Sequence, residues 1–281
     1  KLSATLLQME GMAIHAVDVN RARGEITLLA NEVGATSRIA ASLQPGNRVI
    51  LMGPTGSGVP TLDAGTMVVM GNSSAVASLV DGAPTWRAAG NRVVFIGHFD
   101  NASRAEALQP LIEPLADQIF WVIESGSPLL KRRAQDKMFV GRFEDFLAVC
   151  RDNSPYGSWA REAGKVLLCD ESAAMAKTAR RLRELLDESV VAIAAVNSPM
   201  QCMMKEVCAQ CLCKHRNTDG SERYVFSCFN QHQPLYDVDF ANLALRQTQN
   251  TLQEKLSNAW LSYILAREQQ TLQRKKALPV V

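Results

Sequence analysis

Between Thr66 and Val196 the chain alternates two kinds of segment, and that alternation limits it to one class of fold. Thr66–Met70, Arg92–Ile96, Gln118–Val122, Lys165–Leu168 and Val190–Ala195 are unbroken apolar runs. A strand that is apolar on both faces must be covered on both, which is the situation of a parallel strand lying between two layers of helix. The intervening segments Ser74–Leu79, Arg104–Pro114, Phe143–Arg151 and Ala173–Asp187 carry helical spacing. Strand followed by helix, repeated, predicts an α/β domain built on a parallel sheet.

The preceding residues read differently. Met12–Asp18 and Glu25–Asn31 are short apolar runs joined by the polar connection Asn20–Gly24. A helical stretch, Thr36–Leu43, ends at Pro45-Gly46, and Asn47–Met52 reads as a further strand running into Gly53-Pro54-Thr55-Gly56-Ser57-Gly58. About three strands are legible here, whereas a closed barrel needs roughly five or six. This part reads as a partial antiparallel barrel. Beyond the sheet, Leu243, Leu252, Leu256, Trp260 and Ile264 recur at near-helical spacing and predict one or two C-terminal helices. The expected organisation is therefore residues 1–62, 63–196, 197–239 and 240–281.

The third of these parts holds the densest chemistry. Of seven cysteines, Cys150 and Cys169 stand alone, and Cys202, Cys208, Cys211, Cys213 and Cys228 are packed into one short stretch. An odd number at short spacings suits metal ligation in a reducing compartment better than a disulfide framework. Thiolates bind soft metals, and two ligands separated by two residues can wrap one site. The pattern C-x5-C-x2-C-x16-C through Cys202, Cys208, Cys211 and Cys228 lies one residue from the plant-type ferredoxin spacing C-x4-C-x2-C…C. Cys213 points away from Cys211 if the backbone is extended, and it is the spare thiol of the set. A structural zinc site recruiting His215 or His232 is the competing assignment.

Two loops have the character of phosphate sites. Val33-Gly34-Ala35-Thr36-Ser37 stands at a strand-to-helix junction, where glycine permits close approach and free amides attract an anion. The other expectation for this stretch is a plain capped helix. Met70-Gly71-Asn72-Ser73-Ser74 follows the first parallel strand, the place where a dinucleotide meets a helix N-terminus. Cys169-Asp170-Glu171-Ser172 closes another strand at the same edge, and it reads either as a ribose contact or as a helix cap. His15, on an apolar strand, reads as a core residue.

Taken in order, a barrel end, a Gly-Pro-x-Gly-x-Gly turn at Gly53–Gly58, a nucleotide-type α/β domain and a cysteine loop resemble the ferredoxin–NADP reductase superfamily. The branch most similar is the iron–sulphur electron-transfer subunit of dihydroorotate dehydrogenase, with the related sulfide dehydrogenase and transhydrogenase subunits. The resemblance runs from about residue 10 to residue 235. It implies FAD on the barrel, NAD(P)H on the α/β domain and a [2Fe-2S] cluster passing single electrons to a partner. By position, Gly34, Thr36 and Ser37 would hold the FAD pyrophosphate, and Gly53 is a further cofactor-binding candidate. Gly71, Asn72, Ser73, Ser74, Cys169, Asp170 and Glu171 would line the nicotinamide side, and Cys202, Cys208, Cys211 and Cys228 would hold the cluster. The sequence departs from the family's Arg-Pro-x-Ser flavin motif, having Glu10-Gly11-Met12-Ala13 in its place.

The expectation is an FAD- and NAD(P)-dependent iron–sulphur oxidoreductase component working beside another redox subunit or domain. The alternative is a degenerate module that keeps only a metal site, as an electron relay or a zinc-stabilised docking domain, with Trp260 and Tyr263 offering an apolar helix face. A net charge of +2 gives no reason to expect nucleic acid as a partner. No apolar run approaches the roughly 20 residues of a membrane span, and the expected location is cytoplasmic. Because the chain begins at Lys1, it is expected to start within a longer protein.

Overall fold

The computed structural model describes residues 14, 16–30, 32, 34–54, 56–129, 133–151, 154–197, 202, 205–217, 219–248 and 251–277. Among the described residues, the α/β part is one seven-stranded sheet. Its strands are β3 (Thr66–Gly71), β4 (Arg92–Asn101), β5 (Gln118–Ser125), β6 (Lys137–Val140), β7 (Ala163–Cys169), β8 (Val191–Ala195) and β11 (His232–Pro234). They lie in the order β11-β8-β7-β3-β4-β5-β6, with every pair parallel except β11 against β8.

The sheet's two faces follow from the pleat, which sends successive side chains to opposite sides. Val68, Met70, Val94, Ile96, Phe120, Val122, Val166 and Leu168 enter one core, with Phe146 and Trp159. Met67, Val69, Val93, Phe95, Ile119, Trp121 and Ile123 enter the other, with Trp86 and Ile112. The helices covering these faces are α2 (Ser73–Ala88), α3 (Ala102–Ile112), α4 (Phe143–Val149), α5 (Ser158–Glu162) and α6 (Ser172–Leu185).

From β3 the chain builds outward through β4, β5 and β6, then returns to place β7 on the other side of β3. The strand order therefore reverses between β3 and β7. A crevice opens beyond the carboxyl ends of the strands at such a reversal, and open α/β sheets bind ligands there.

Among the described residues, the N-terminal part shows less than the barrel reading expects: the antiparallel hairpin β1 (Ala16–Asn20) with β2 (Glu25–Leu28), and the helix α1 (Ala35–Ala41). Asn47–Met52 is irregular instead of a strand, and Val49, Leu51 and Met52 are 45–58% exposed. An apolar run is held as a strand only where its side chains gain a buried face, and these do not. His15, Val33, Thr55 and the Glu10–Ala13 stretch lie outside the described residues.

The cysteine segment contributes the hairpin β9 (Leu212–Arg216) with β10 (Glu222–Phe226). The tail forms α7 (Phe240–Thr248) and α8 (Thr251–Ala277). No helix among the described residues is long and apolar enough to cross a membrane.

Candidate functional site

At the reversal point, Gly71 ends β3 with φ +143. A Cβ built there would stand 1.9 Å from the Cys169 carbonyl oxygen, so β3 and β7 can run this close only past a glycine. Asn72 then caps α2: its Oδ1 accepts from the Ser74 amide at 2.9 Å and from the Ser74 hydroxyl at 2.6 Å. Its Nδ2 reaches across the crevice to Asp170 Oδ1 at 2.9 Å. Asp170 also accepts from the Glu171 amide, and its Oδ2 lies 2.5 Å from His98 Nε2. The Asp170 side chain is only 2% exposed, so these partners supply what water would otherwise give. His98 stacks on Phe143 with ring centroids 4.6 Å apart.

Gly71, Asn72, Ser73, Ser74, Cys169, Asp170 and Glu171 are thus brought to one crevice. The Ser74 amide, a donor a phosphate would use, is taken there by Asn72, and the Asp170 carboxyl already stands in the crevice. Cys169 is buried against the Ser78 hydroxyl, and burial pushes its thiol up to about 12. His98 is a residue of this crevice that the sequence reading misses. The available signal is a histidine directly after Gly97, near the carboxyl end of a parallel strand.

Gly34, Thr36 and Ser37 open α1, which packs against α8. The Gly34 amide donates to Ser37 Oγ at 2.9 Å, and the Ala35 amide donates to Glu254 Oε1 at 2.6 Å. A Cβ on Gly34 would meet the same Glu254 oxygen at 2.5 Å. Arg38 fastens the arrangement through Asn258 and Ser262 of α8. A carboxylate of the chain's own tail therefore takes the position expected for a flavin pyrophosphate. Gly53, with φ +150, lies in the exposed irregular segment before β3. In that segment the Gln231 side chain approaches Gly56, and His232 Nδ1 lies 3.1 Å from the Gly58 carbonyl.

The cysteine loop is organised around sulphur. The amides of Val207 and Cys208 donate to the Cys202 sulphur, with the Lys205 amide and the Cys208 side chain assisting, and they hold its thiol down to about 6. The Cys228 thiol is pushed up to about 12, first by burial and then by its hydrogen bond to Cys211 and the charge of that neighbour. The Glu206 amide donates to Cys228, and the Cys202 charge also reaches it. The thiols therefore meet two by two, Cys202 with Cys208 and Cys211 with Cys228.

Glu206 and Ala209 hold φ of +54 and +57. That left-handed turn costs a non-glycine residue about 1–2 kcal/mol and turns successive amides toward one side. The Ser227 amide and hydroxyl both donate to the Cys211 carbonyl, at 3.0 and 2.7 Å, which fixes the return segment to the loop. Among the described residues, no group of three or more His, Cys, Asp or Glu side chains stands as a ready-made cage for a single metal ion.

The remaining candidates sit elsewhere. Cys213 is fully buried in the core beneath the sheet, and burial raises its thiol to about 11. His215 is buried with Nε2 2.6 Å from Gln233 Oε1, and His232 stands against the Gly58 carbonyl, so both rings are engaged by other groups. On α8, Trp260 and Tyr263 are half-exposed with ring centroids 6.0 Å apart, while Leu261 and Ser257 are buried.

No known family's profile matches the chain. The uncharacterized protein RP006 of Rickettsia prowazekii (strain Madrid E) is 25% identical over 250 residues, covering 89% of this chain and 27% of that protein. The chain thus spans about a quarter of the length of this curated relative. A chain of the NADH-dependent reduced ferredoxin-NADP oxidoreductase, whose structure was solved for insights into flavin-based electron bifurcation, superposes with a TM-score of 0.68. The match covers 88% of this chain and 80% of that one at 16% identity, and it shows a shared fold. The likeness bears on the α/β fold alone, and the flavin-type barrel that the resemblance implies is not found among the described residues. Nor does the likeness single out the dihydroorotate dehydrogenase branch.

Proposed function

We propose that this chain is an oxidoreductase electron-transfer module whose working part is a [2Fe-2S] cluster held by Cys202, Cys208, Cys211 and Cys228. The observation that carries the reading is the pairing of the thiols two by two beneath donated amides. A single zinc ion asks for four ligands at one centre. A [2Fe-2S] cluster has two irons sharing four thiolates, so two adjacent pairs suit it better. Such a cluster, when bound, supplies one-electron transfer.

The chain's own residues then have definable tasks. The amides of Val207, Cys208 and Lys205 at Cys202, and of Glu206 at Cys228, stabilise negative charge on sulphur and so favour the reduced state. Cys211 and Cys228 are 1% and 2% exposed, which keeps water from that side. Cys202 and Cys208 are only partly buried. Val207 beside them is 76% exposed, so the outer edge of the loop is the natural exit toward a partner protein or domain.

A second reading adds hydride entry from NAD(P)H through FAD. The shared fold and the crevice at the strand reversal favour it. Against it, Glu254 fills the expected pyrophosphate position, and Asn72 with Asp170 fills the expected nicotinamide side. As arranged, these residues fit neither nucleotide. The test is an assay of iron, acid-labile sulphide, zinc and flavin on one anaerobically purified sample. Iron and sulphide near two per chain without flavin support the relay. Stoichiometric flavin supports the second reading, and zinc in a colourless sample overturns both.

A further inference from the structure

The turn joining Cys208 to Cys211 is gripped from behind by one side chain. Arg246 of α7 donates through Nη2 to the Ala209 carbonyl at 2.8 Å and to the Gln210 carbonyl at 3.3 Å. The helix that delivers it is firmly placed. Asp239 caps α7 by accepting from the Asn242 amide at 3.0 Å through Oδ1 and from the Leu243 amide at 2.9 Å through its own carbonyl. The Asp239 amide donates to Lys214 of β9, and Arg216 donates to Asp239 Oδ2 at 2.8 Å. Leu243 is buried in the core, and Gln247 donates to the Asn197 carbonyl at the entry to the cysteine segment. Arg246 is the point at which this braced helix meets the loop.

In a trans peptide the carbonyl and the following amide point in opposite directions. Holding the Ala209 and Gln210 carbonyls toward Arg246 therefore turns the Gln210 and Cys211 amides away from α7. Ala209 sits in the left-handed region at φ +57, a conformation that persists only when neighbours over-determine it. The guanidinium is permanently charged.

We propose that Arg246 is the positioning residue of the cysteine loop: it holds the left-handed turn so that loop amides face the thiolates, and its charge raises the potential of the cluster. This rests on the [2Fe-2S] reading for its redox part alone. The geometric part concerns the chain without iron as well.

The test compares full-length wild type with Arg246→Gln, Arg246→Lys and Ala209→Gly/Arg246→Gln. Two readouts are needed: iodoacetamide labelling of Cys211 in the iron-free chain, and the midpoint potential after anaerobic reconstitution. Cys211 is 1% exposed, so loss of the clamp in Arg246→Gln should speed its labelling by roughly ten-fold or more as the loop opens. The potential of that variant should move to more negative values. Arg246→Lys should lower the potential less than Arg246→Gln while still labelling faster than wild type, because an ammonium retains the charge but not the planar fork that holds the loop. Glycine at 209 adopts a positive φ without strain, and the double variant should label more slowly than Arg246→Gln alone. Unchanged labelling and potential in a folded Arg246→Gln chain would overturn the proposal. Should that variant not fold, Arg246→Lys decides by the same labelling. If wild type takes up no iron, the cluster reading fails by itself, and the labelling alone then upholds or overturns the clamp.

Discussion

Changing Cys208 or Cys211 to serine should abolish bound iron and the visible absorbance together, from about two irons per chain to almost none. The expectation of total loss follows from the proposed assignment. If each pair supplies the protein ligands of one iron, removing one thiolate would open that iron to water and loss. Serine keeps the size and hydrogen-bonding capacity of the side chain, so the loop's own geometry should survive. Cys202→Ser and Cys228→Ser should behave alike, since Cys202 collects the amides and Cys228 closes the site from the return segment. The controls are Cys150→Ser and Cys213→Ser. Both thiols are buried in the main core, and burial has pushed both up to about 11, marks of packed, inert groups. Their replacement should cost some stability and leave iron unchanged. Iron loss in Cys213→Ser equal to that in Cys211→Ser would mean the ligand set has been drawn wrongly.

The second large effect belongs to the scaffold. Gly71→Ala should lower the stability of the folded chain by about 3 kcal/mol, which corresponds to a drop in Tm of roughly 6–12 °C. Two penalties combine there. The backbone holds φ +143, where an L side chain is strained, and the new methyl would meet the Cys169 carbonyl at 1.9 Å. The atom in the way is backbone within the central strand pair, so it cannot swing aside as a flexible side chain would. Relief requires β3 and β7 to part at the crevice, which also strains the Asn72 bridge to Asp170. Thermal unfolding of both proteins in the same buffer checks this. A Tm within about 2 °C of wild type would show that the two strand ends are not held this close.

The sheet is legible in the sequence because its strands are buried on both faces. Thr66–Met70 and Lys165–Leu168 need mostly apolar residues on both sides of the strand, and alternating patterns do not satisfy that need. The helix over one face reads from its spacing as Ser74–Leu79. In the structure α2 continues to Ala88, with Trp86 buried in the core. Tertiary packing outweighs local propensity there. The short strands β6 and β11 leave little mark in the sequence, because each is held at the sheet's edge by its neighbour instead of by its own pattern.

The cysteine set is legible from spacing alone, but what surrounds it is not. Arg246 belongs to no motif, and only the folding of α7 brings it onto the Ala209 and Gln210 carbonyls. Glu254 lies 219 residues along the chain from Ala35, whose amide it accepts. Asp170 is legible as an acidic residue at the sheet edge, but its bridges to Asn72 and His98 depend on three strand ends converging. Sequence spacing marks which residues are candidate ligands. Which donors are already occupied is a property of the folded chain.

The measurement that bears most directly on the central claim is an electron paramagnetic resonance spectrum of the anaerobically purified chain before and after reduction with dithionite. A [2Fe-2S] cluster on Cys202, Cys208, Cys211 and Cys228 predicts a silent oxidised sample and, on reduction, a signal integrating to about one unpaired electron per chain. A sample that carries zinc, or that stays silent after reduction despite a full complement of intact thiols, would contradict it.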